Sequence, residues 1–299
     1  MKRNKGIIFQ LIIILSFISI FGFLINNLII NLIRTDLGFN FSWLLKPSSF
    51  ALAEHALPYS PSDSYAWALL IGWLNSLKVI FISLFLSTIL GIIIGLSRTG
   101  KNTILNIISS FYITIIRQTP LLLQLMFWYF VGFLGLKNNF LYFSNLFKIN
   151  NQGIEFFGLS FTSEFSALII GLSVFTSAFI GEVIRGGIIS VPKGQWESFR
   201  SLGISESNGL IRVIIPQALP AIIPGLTNQF LNLAKNSTLA IAIGYSDIYA
   251  INDTIINQTG RAIECFIILL FTFLILNLLI TNLMETINKL INKKKIYIN

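Results

Sequence analysis

The residues best placed for interaction chemistry lie in a polar stretch between two apolar runs, residues 192–220. The stretch predicts two short helices, of which Ser190 can cap the first and Gly203 can end it in a left-handed conformation. An exposed carboxylate such as Glu197 can anchor a helix to a partner through charge-assisted hydrogen bonds. The stretch is therefore predicted to dock against another protein. The candidate docking residues are Trp196, Glu197, Phe199, Arg200 and Gly203.

A second polar group interrupts an apolar stretch near residue 235. Lys235 is followed by Asn236 and Ser237, and an ammonium beside an amide and a hydroxyl could hold a carboxylate. Ionisable groups inside membrane proteins are costly and usually face a bundle interior or a water-filled cavity. The alternative is a lysine whose ammonium extends to the membrane surface. Arg117 and Gln118 pose a similar choice, since they could line a path at a helix break or anchor a helix at the interface.

Other chemistry-bearing patterns in the chain are weak. Residues 95–102 nearly match a phosphate-binding loop, but Asn102 occupies the position that needs a hydroxyl for Mg²⁺, and no strand pattern precedes it. The single histidine, His55, lies near Glu54 and Asp63 at irregular spacing, which is weak evidence for a metal site. Paired-carboxylate, nucleophile–base and cofactor patterns are not found. The sequence therefore predicts no enzyme activity, no cofactor and no metal site.

The elements that position these residues follow from composition. Of the 299 residues, 54% are hydrophobic and 11% are charged, whereas soluble domains carry about 25% charged residues. Apolar runs of about 18 or more residues recur, which is typical of membrane-spanning helices. The formal net charge of +9 is explained by basic residues that flank such helices, so nucleic acid is not expected as a partner. The predicted fold class is all-α, a polytopic helical protein in a lipid bilayer.

Six membrane-spanning helices are predicted. The first is interpreted as a retained helix, since its apolar run exceeds the roughly 7–15 residues of a signal peptide. The third is the least regular, because the stretch 104–136 is too long for one span and too short for two of about 20 residues. Residues 103–112 are therefore interpreted as an interfacial lead-in to one span that is kinked or started near Pro120. The approximate bounds are 7–33, 68–96, 113–136, 163–187, 213–234 and 263–284.

Lysine and arginine are distributed unevenly between the two sides that six spans define. The N-terminus, the short loop after the second span, the 185–212 loop and the C-terminal tail share one side and carry most of these residues. This distribution predicts that the shared side is cytoplasmic and that residues 34–65 are external. Both termini are then cytoplasmic. The chain divides into a first helix with an external segment, 1–65, and a transmembrane domain, 66–299, whose cytoplasmic loop lies at about 188–212.

Three smaller features predict packing and surface chemistry. Gly91 and Gly95 lie four residues apart and are expected to form a close helix–helix contact. Glu182 and Arg185 lie three residues apart on one helix face and are expected to pair near the cytoplasmic end of the fourth span. Lys78 is interpreted as a lysine that extends to the membrane surface.

Several motifs resemble one known family. Glu197, Gly203 six residues later and Pro216 a further thirteen later resemble the EAA loop of ABC-importer permeases, with Ser198-Phe199 in place of the two alanines. Three segments resemble the polar amino-acid branch of that family: G-E-V-I-R-G-G-I-I-S-V-P-K-G-Q-W-E (181–197), I-R-Q-T-P-L-L-L-Q-L-M-F-W-Y-F (116–130) and K-N-S-T-L-A-I-A-I-G (235–244). Two further segments, I-R-T-D-L-G-F (33–39) and L-P-Y-S-P-S-D-S-Y (57–65), resemble the general L-amino-acid permeases.

The resemblance implies a type I ABC-importer permease, a membrane subunit of an amino-acid importer in the bacterial inner membrane. It implies two ATP-binding subunits, a second permease that is a copy or a different chain, and an external amino-acid-binding protein. In such a machine the loop around Glu197 receives the movement of the ATPases. The alternative is a self-sufficient secondary transporter or channel for small polar solutes, which would favour charged relays and inverted repeats that the sequence does not show.

Overall fold

The computed structural model describes residues 2–34, 39–55, 57–136, 141–144 and 146–296. In chain order the helices are α1 (Lys2–Arg34), α2 (Tyr65–Thr99), α3 (Thr103–Gln118), α4 (Leu121–Met126), α5 (Ser163–Ile189), α6 (Lys193–Ser201), α7 (Glu206–Gly209), α8 (Ile215–Asn236), α9 (Ile248–Thr259) and α10 (Ala262–Ile296). A separate 3-10 turn lies at Ser42–Leu45. A 3-10 turn at Ser237–Ile243 extends α8, a π-helical turn at Phe127–Leu134 extends α4, and another at Leu210–Ile214 joins α7 to α8.

Five helical segments in the described part of the chain are long and apolar enough to cross a membrane. They are Gly6–Arg34, Tyr65–Thr99, Ser163–Ile189, Glu206–Ile243 and Ala262–Ile291. Each overlaps one predicted span, and the predicted third span is made of two shorter helical pieces in tandem. The predicted helical membrane fold with about six crossings is therefore confirmed.

The third crossing is broken between α3 and α4. Helix α3 runs unbroken to its last residue, Gln118, so the predicted interfacial lead-in belongs to the same helix as the residues that follow it. Pro120 lacks an N–H group and stops the helix. Gln124 compensates for the break, because its amide donates to the carbonyl oxygens of Ile116 at 2.9 Å and Thr119 at 3.1 Å. Both pieces pack along α5, so together they form one crossing.

The centre of the fold is the contact between α2 and α5. A Cβ atom at Gly91 would lie 2.4 Å from the Cγ2 atom of Ile180, and one at Gly95 would lie 2.8 Å from the carbonyl oxygen of Gly181. Any larger residue at either position would force the two helices apart, because packed cores tolerate little added volume. The predicted close contact at these two glycines is confirmed.

Ion pairs and a hydrogen bond join three helices at the end of the bundle where α5 leads into α6, which we call the α6 end. The predicted pair between Glu182 and Arg185 is confirmed, with the Arg185 Nε atom donating to the Glu182 Oε1 atom at 3.0 Å. Arg98, in the last turn of α2, binds the same carboxylate. Its Nε atom also donates to the Oγ atom of Ser110 in α3 at 3.2 Å. Glu182 thereby joins α5 to α2, and Arg98 joins α2 to α3.

The opposite end of the bundle, the sheet end, carries a small antiparallel sheet that was not predicted from the sequence. The strands are β1 (Leu141–Ser144), β2 (Phe147–Asn150), β3 (Gly153–Phe156) and β4 (Leu159–Thr162), paired in that order. Strand β4 leads directly into α5. Thr162 caps this helix, because its Oγ1 atom accepts a hydrogen bond from the N–H group of Phe165 at 3.2 Å. The sheet therefore sets where α5 begins.

Residues 39–55 and 57–64 cross the sheet end, and we call them the strap. Trp43 is 3% exposed and packs with Tyr65, with ring centroids 5.5 Å apart, in a cluster that also includes side chains of α9 and α10. The strap turns back on itself, and the N–H group of Ser48 donates to the carbonyl oxygen of Asp63 at 2.8 Å. Its described residues are therefore a packed part of the bundle.

Lys78 has partners that the sequence did not reveal. Its Nζ atom binds the Oε1 atom of Glu54 in the strap at 2.9 Å, and it also lies 4.1 Å from the ring centroid of Phe165 in α5. The interpretation of this lysine as one that merely extends to the membrane surface is therefore wrong.

Candidate functional site

Helix α6 is seated on the bundle by aromatic side chains. Phe199 is 2% exposed and packs so closely on α7 that a Cβ atom at Gly209 would lie 2.4 Å from its ring. Trp196 is half-buried beside it, with ring centroids 5.9 Å apart. Of the predicted docking residues, these two therefore face this chain and fix the position of α6.

The end of α6 has the geometry expected from its glycine. Gly203 has φ of 71°, in the left-handed region. The N–H group of Ile204 donates to the carbonyl oxygen of Phe199 at 3.1 Å, and that of Gly203 donates to Arg200 at 3.0 Å. This pair of bonds is a Schellman motif, which satisfies the last carbonyl groups of the helix. Glycine is required because a side chain disfavours this backbone conformation.

The start of α6 differs from the prediction. The Oγ atom of Ser190 donates to the carbonyl oxygen of Gly187 at 2.7 Å, so this side chain closes the end of α5. Pro192 occupies the position before α6 and has no side-chain hydrogen bond to offer. Ser190 is therefore not the cap of α6.

Glu206 links α6 to the loop between α2 and α3. Its Oε1 atom accepts hydrogen bonds from the Nζ atom of Lys101 at 2.5 Å and from the Nε atom of Arg200 at 3.0 Å. These two cations hold the pKa of the Glu206 carboxyl below its usual value. Residues 95–102, which nearly match a phosphate-binding loop, are helical through Thr99. Their lysine, Lys101, forms an ion pair with Glu206.

We expect the Glu206 contacts to persist from neutral pH to below the usual carboxylate range. A carboxylate with a lowered pKa stabilises the folded loop above its unfolded pKa, and the effect is lost as pH falls through the lowered folded pKa. Since the pairs are exposed, salt should weaken them. Amide exchange of α6 measured against pH and salt checks this expectation. Glu206→Gln should exchange faster and lose the salt dependence, whereas Glu285→Gln, which breaks an exposed pair in α10, should not. Equal salt dependence in the parent and Glu206→Gln would contradict it.

The outer face of α6 is available to a partner. Glu197 is exposed, and Leu202, at the end of the same helix, is 74% exposed. A carboxylate beside an exposed leucine offers one charged anchor and one apolar contact. Arg200 is also exposed, but it is engaged with Glu206 and lies 5.6 Å from the ring centroid of Trp196.

A polar cavity of about 350 Å³ lies between α5 and α8. Its lining residues are Phe175, Thr176, Phe179, Gln229, Asn232 and Asn236. The guanidinium of Arg117 stands beside it, 5.0 Å from the ring centroid of Phe179. A guanidinium can bind a carboxylate, and amide oxygens can accept from an ammonium. The cavity therefore has the groups needed to hold a small zwitterion.

Two of the three amide side chains that line the cavity were not predicted from the sequence. Arg117 and Asn236 were among the predicted path residues, whereas Gln229 and Asn232 were not. The spacing of the three α8 residues is three and then four, so they share one helix face. A polar stripe along one face of a spanning helix is a signal that could have found them.

Lys235 faces a different cavity from its neighbour Asn236. This second cavity, of about 740 Å³, lies between α8 and α10 and is mainly apolar, with Phe266, Leu270 and Phe273 among its walls. The structure therefore separates the lysine from the amide with which the sequence grouped it.

The remaining two path candidates have simpler surroundings. Ser237 is 1% exposed, and its Oγ atom donates to the carbonyl oxygen of Ala234 at 2.9 Å, so it supports the helix end. Gln118 is exposed at the last residue of α3, directly before the break in the third crossing. Of the five predicted path residues, Asn236 lines the polar cavity and Arg117 stands beside it.

Known proteins of the same kind match most of the chain. A family described as the binding-protein-dependent transport system inner membrane component matches residues 87–293. YhdX of Escherichia coli, a putative amino-acid ABC transporter permease protein, is 32% identical over 94% of this chain and 93% of its own length. AapQ of Rhizobium johnstonii, a general L-amino acid transport system permease protein, is 30% identical over 96% of this chain and 92% of its own.

Solved structures agree with this assignment. A crystal structure of an amino acid ABC transporter with histidines has a TM-score of 0.60 and 29% identity, covering 75% of this chain and 94% of that one. The MetNI methionine ABC transporter, in an inward-facing conformation, shares the fold at a TM-score of 0.58 and 21% identity. The family match spans α6, the broken third crossing and both walls of the polar cavity. The chain therefore belongs to the inner-membrane components of binding-protein-dependent transport systems, the permease subunits of ABC importers.

Proposed function

We propose that this chain carries amino acids across the bacterial inner membrane in an ATP-driven importer. Permeases of this family work with ATP-binding subunits and a substrate-binding protein, and they are not themselves enzymes. The relatives named above are amino-acid permeases, and the polar cavity beside Arg117 offers groups for both charges of an amino acid. The single observation that carries the proposal is α6, which is firmly seated yet presents Glu197 outward.

Coupling is assigned to the α6 loop. The carboxylate of Glu197 anchors α6 in a groove of the ATP-binding subunit, and Gly203 turns the chain back to the membrane. Phe199 and Trp196 transmit the resulting push to the bundle, because they join α6 to the cluster around α5 and α8. Arg200 supports the loop through Glu206.

The translocation path is assigned to the polar cavity. Asn236 lines it with Gln229 and Asn232, and Arg117 stands beside it against Phe179. Two permease subunits, either two copies of this chain or this chain with a different one, would enclose the path. Two ATP-binding subunits would drive it, and an external binding protein would deliver the amino acid. Gln118, Lys235 and Ser237 do not line the cavity, and we assign them no part in the path.

We expect both termini to be cytoplasmic and the strap to be external. The division of the chain follows, with a first helix and external segment over 1–65 and the transmembrane domain over 66–299. The physical reason is the excess of lysine and arginine at the α6 end. Reporter fusions at Asn299 and at Ser62 measure it, with cytoplasmic activity expected only at the first. Cytoplasmic activity at both positions would contradict this orientation.

Uptake by defined components tests the proposed function. Vesicles should contain the permease complex with its ATP-binding subunits, oriented so that ATP reaches α6. Labelled glutamine should accumulate only when ATP and the external binding protein are both supplied. A secondary transporter or channel would instead move the solute without the ATP-binding subunits. Uptake by the permease alone, at the rate of the complex, would overturn the proposal.

A further inference from the structure

Glu54 in the strap is bound at the junction of α2 and α5. Its carboxylate, 15% exposed, binds the Nζ atom of Lys78 at 2.9 Å and accepts from the Oγ1 atom of Thr162 at 2.5 Å. Thr162 is the capping residue of α5. The carboxylate therefore lies at the positive end of the α5 dipole, where negative charge is favoured. Glu54 therefore binds both α2, through Lys78, and the start of α5, through Thr162.

The same part of the strap is tied to the segment that follows α8. The side-chain amide of Asn75 in α2 donates to the carbonyl oxygen of Glu54 at 3.0 Å and to that of Ser246 at 2.8 Å. Asn75 is fully buried. The strap is thereby linked to the turn that precedes α9 as well as to α5.

These contacts surround an aromatic closure at the sheet end. Lys78 lies 4.1 Å from the ring centroid of Phe165, which lies 5.9 Å from that of Tyr245. Both aromatic side chains are buried, at 2% and 1% exposure. Phe165 precedes the cavity residue Phe175 by ten positions, or about 15 Å along α5. Phe165 and Tyr245 therefore close the bundle between the polar cavity and the sheet end.

The polar cavity lies between α5 and α8, so opening it towards the sheet end would separate α5 from the segment into which α8 leads. The strap bridges that boundary. Glu54 binds Thr162 on the α5 side, and it is linked through the side chain of Asn75 to Ser246 on the other side. A partly exposed ion pair such as Glu54–Lys78 is weak enough to break and re-form repeatedly. The geometry supports a releasable latch.

We propose that Glu54 latches the sheet end of the permease closed, and that the strap must undock for an amino acid to reach the cavity from outside. The inference rests on the proposed function. The latch exists only in the closed form. Removing it would therefore shift the equilibrium between the closed and open forms towards the open one.

A reversible cross-link tests whether the strap has to move. Glu54→Cys with Thr162→Cys places two cysteines at the latch, and the single natural cysteine, Cys265, is buried. In vesicles with the ATP-binding subunits and the binding protein, oxidation should lower glutamine uptake at least about tenfold, and reduction should restore it. Each single-cysteine variant is the control. Uptake by the cross-linked protein at the reduced rate would overturn the proposal.

A second measurement decides the matter where the cysteines do not join. Glu54→Ala should raise ATP hydrolysis in the absence of the binding protein several-fold. Glu155→Gln, which breaks the Glu155–Lys148 pair of 3.0 Å in the sheet, should leave it at the parental level. Parental hydrolysis in Glu54→Ala would overturn the latch. Failure of the parent complex to respond to the binding protein would instead reject the proposed function.

Discussion

Gly203→Val is expected to lower amino-acid uptake at least about tenfold while the permease still reaches the membrane. Gly203 has φ of 71°, and a Cβ atom there would meet no other atom within 4 Å, so the defect arises from the backbone alone. Holding a β-branched residue in this region costs about 1–3 kcal/mol, and about 1.4 kcal/mol corresponds to tenfold. The turn after α6 would change shape, and the surface of α6 that binds the ATP-binding subunit would be displaced. Uptake and co-purification of the two subunits measure the effect.

Gly158→Val is the matched control for this substitution. Gly158 has φ of 80° and equally open surroundings, but it lies in the β3–β4 turn at the sheet end. It should suffer a similar local strain and retain association with the ATP-binding subunit. Equal loss of association in both variants would contradict a specific role for the α6 loop.

Asn232→Leu is expected to lower uptake about fivefold or more without changing subunit assembly. Asn232 lies on the polar face of α8 that lines the cavity. A polar group of a bound amino acid that loses its partner costs about 1–3 kcal/mol, which is roughly five- to a hundredfold. Arg117→Met should act in the same direction. Initial uptake rates against glutamine concentration, normalised to membrane-inserted permease, measure the change.

Lys235→Met provides the comparison on the same helix. It removes a charge that faces the second cavity, so insertion should be maintained and uptake should stay near the parental rate. The opposite pattern, with uptake lost in Lys235→Met and kept in Asn232→Leu, would place the path between α8 and α10.

Local signals explain what could be predicted from the sequence. The end of α6 follows from a single glycine that adopts a left-handed conformation, and its hydrogen bonds join residues at most five positions apart. The spanning helices follow from apolar runs. The bilayer core holds no water, so the backbone polar groups of such a run must be paired within the segment, as they are in a helix. The Glu182–Arg185 pair follows from helical spacing.

Non-local contacts explain what could not be predicted. Glu54 reaches Thr162 across 108 positions, and no spacing rule relates the two. Each strand of the sheet has four residues, too few to show a clear alternation. Gln124 resembles an ordinary polar residue until the break at Pro120 leaves carbonyl groups for it to satisfy. Lys235 and Asn236 are neighbours in sequence, yet consecutive residues on a helix point in different directions.

ATP hydrolysis by the reconstituted complex is the most direct test of coupling through α6. The rate should be measured with and without the binding protein and glutamine, for the parent, Glu197→Ala and Gly203→Val, with permease amount and subunit association recorded separately. The parent should be stimulated, Glu197→Ala should be stimulated less because it loses its anchor, and Gly203→Val should stay near the unstimulated rate. Assembly and stimulation of both variants at the parental level would contradict the assignment of coupling to this loop.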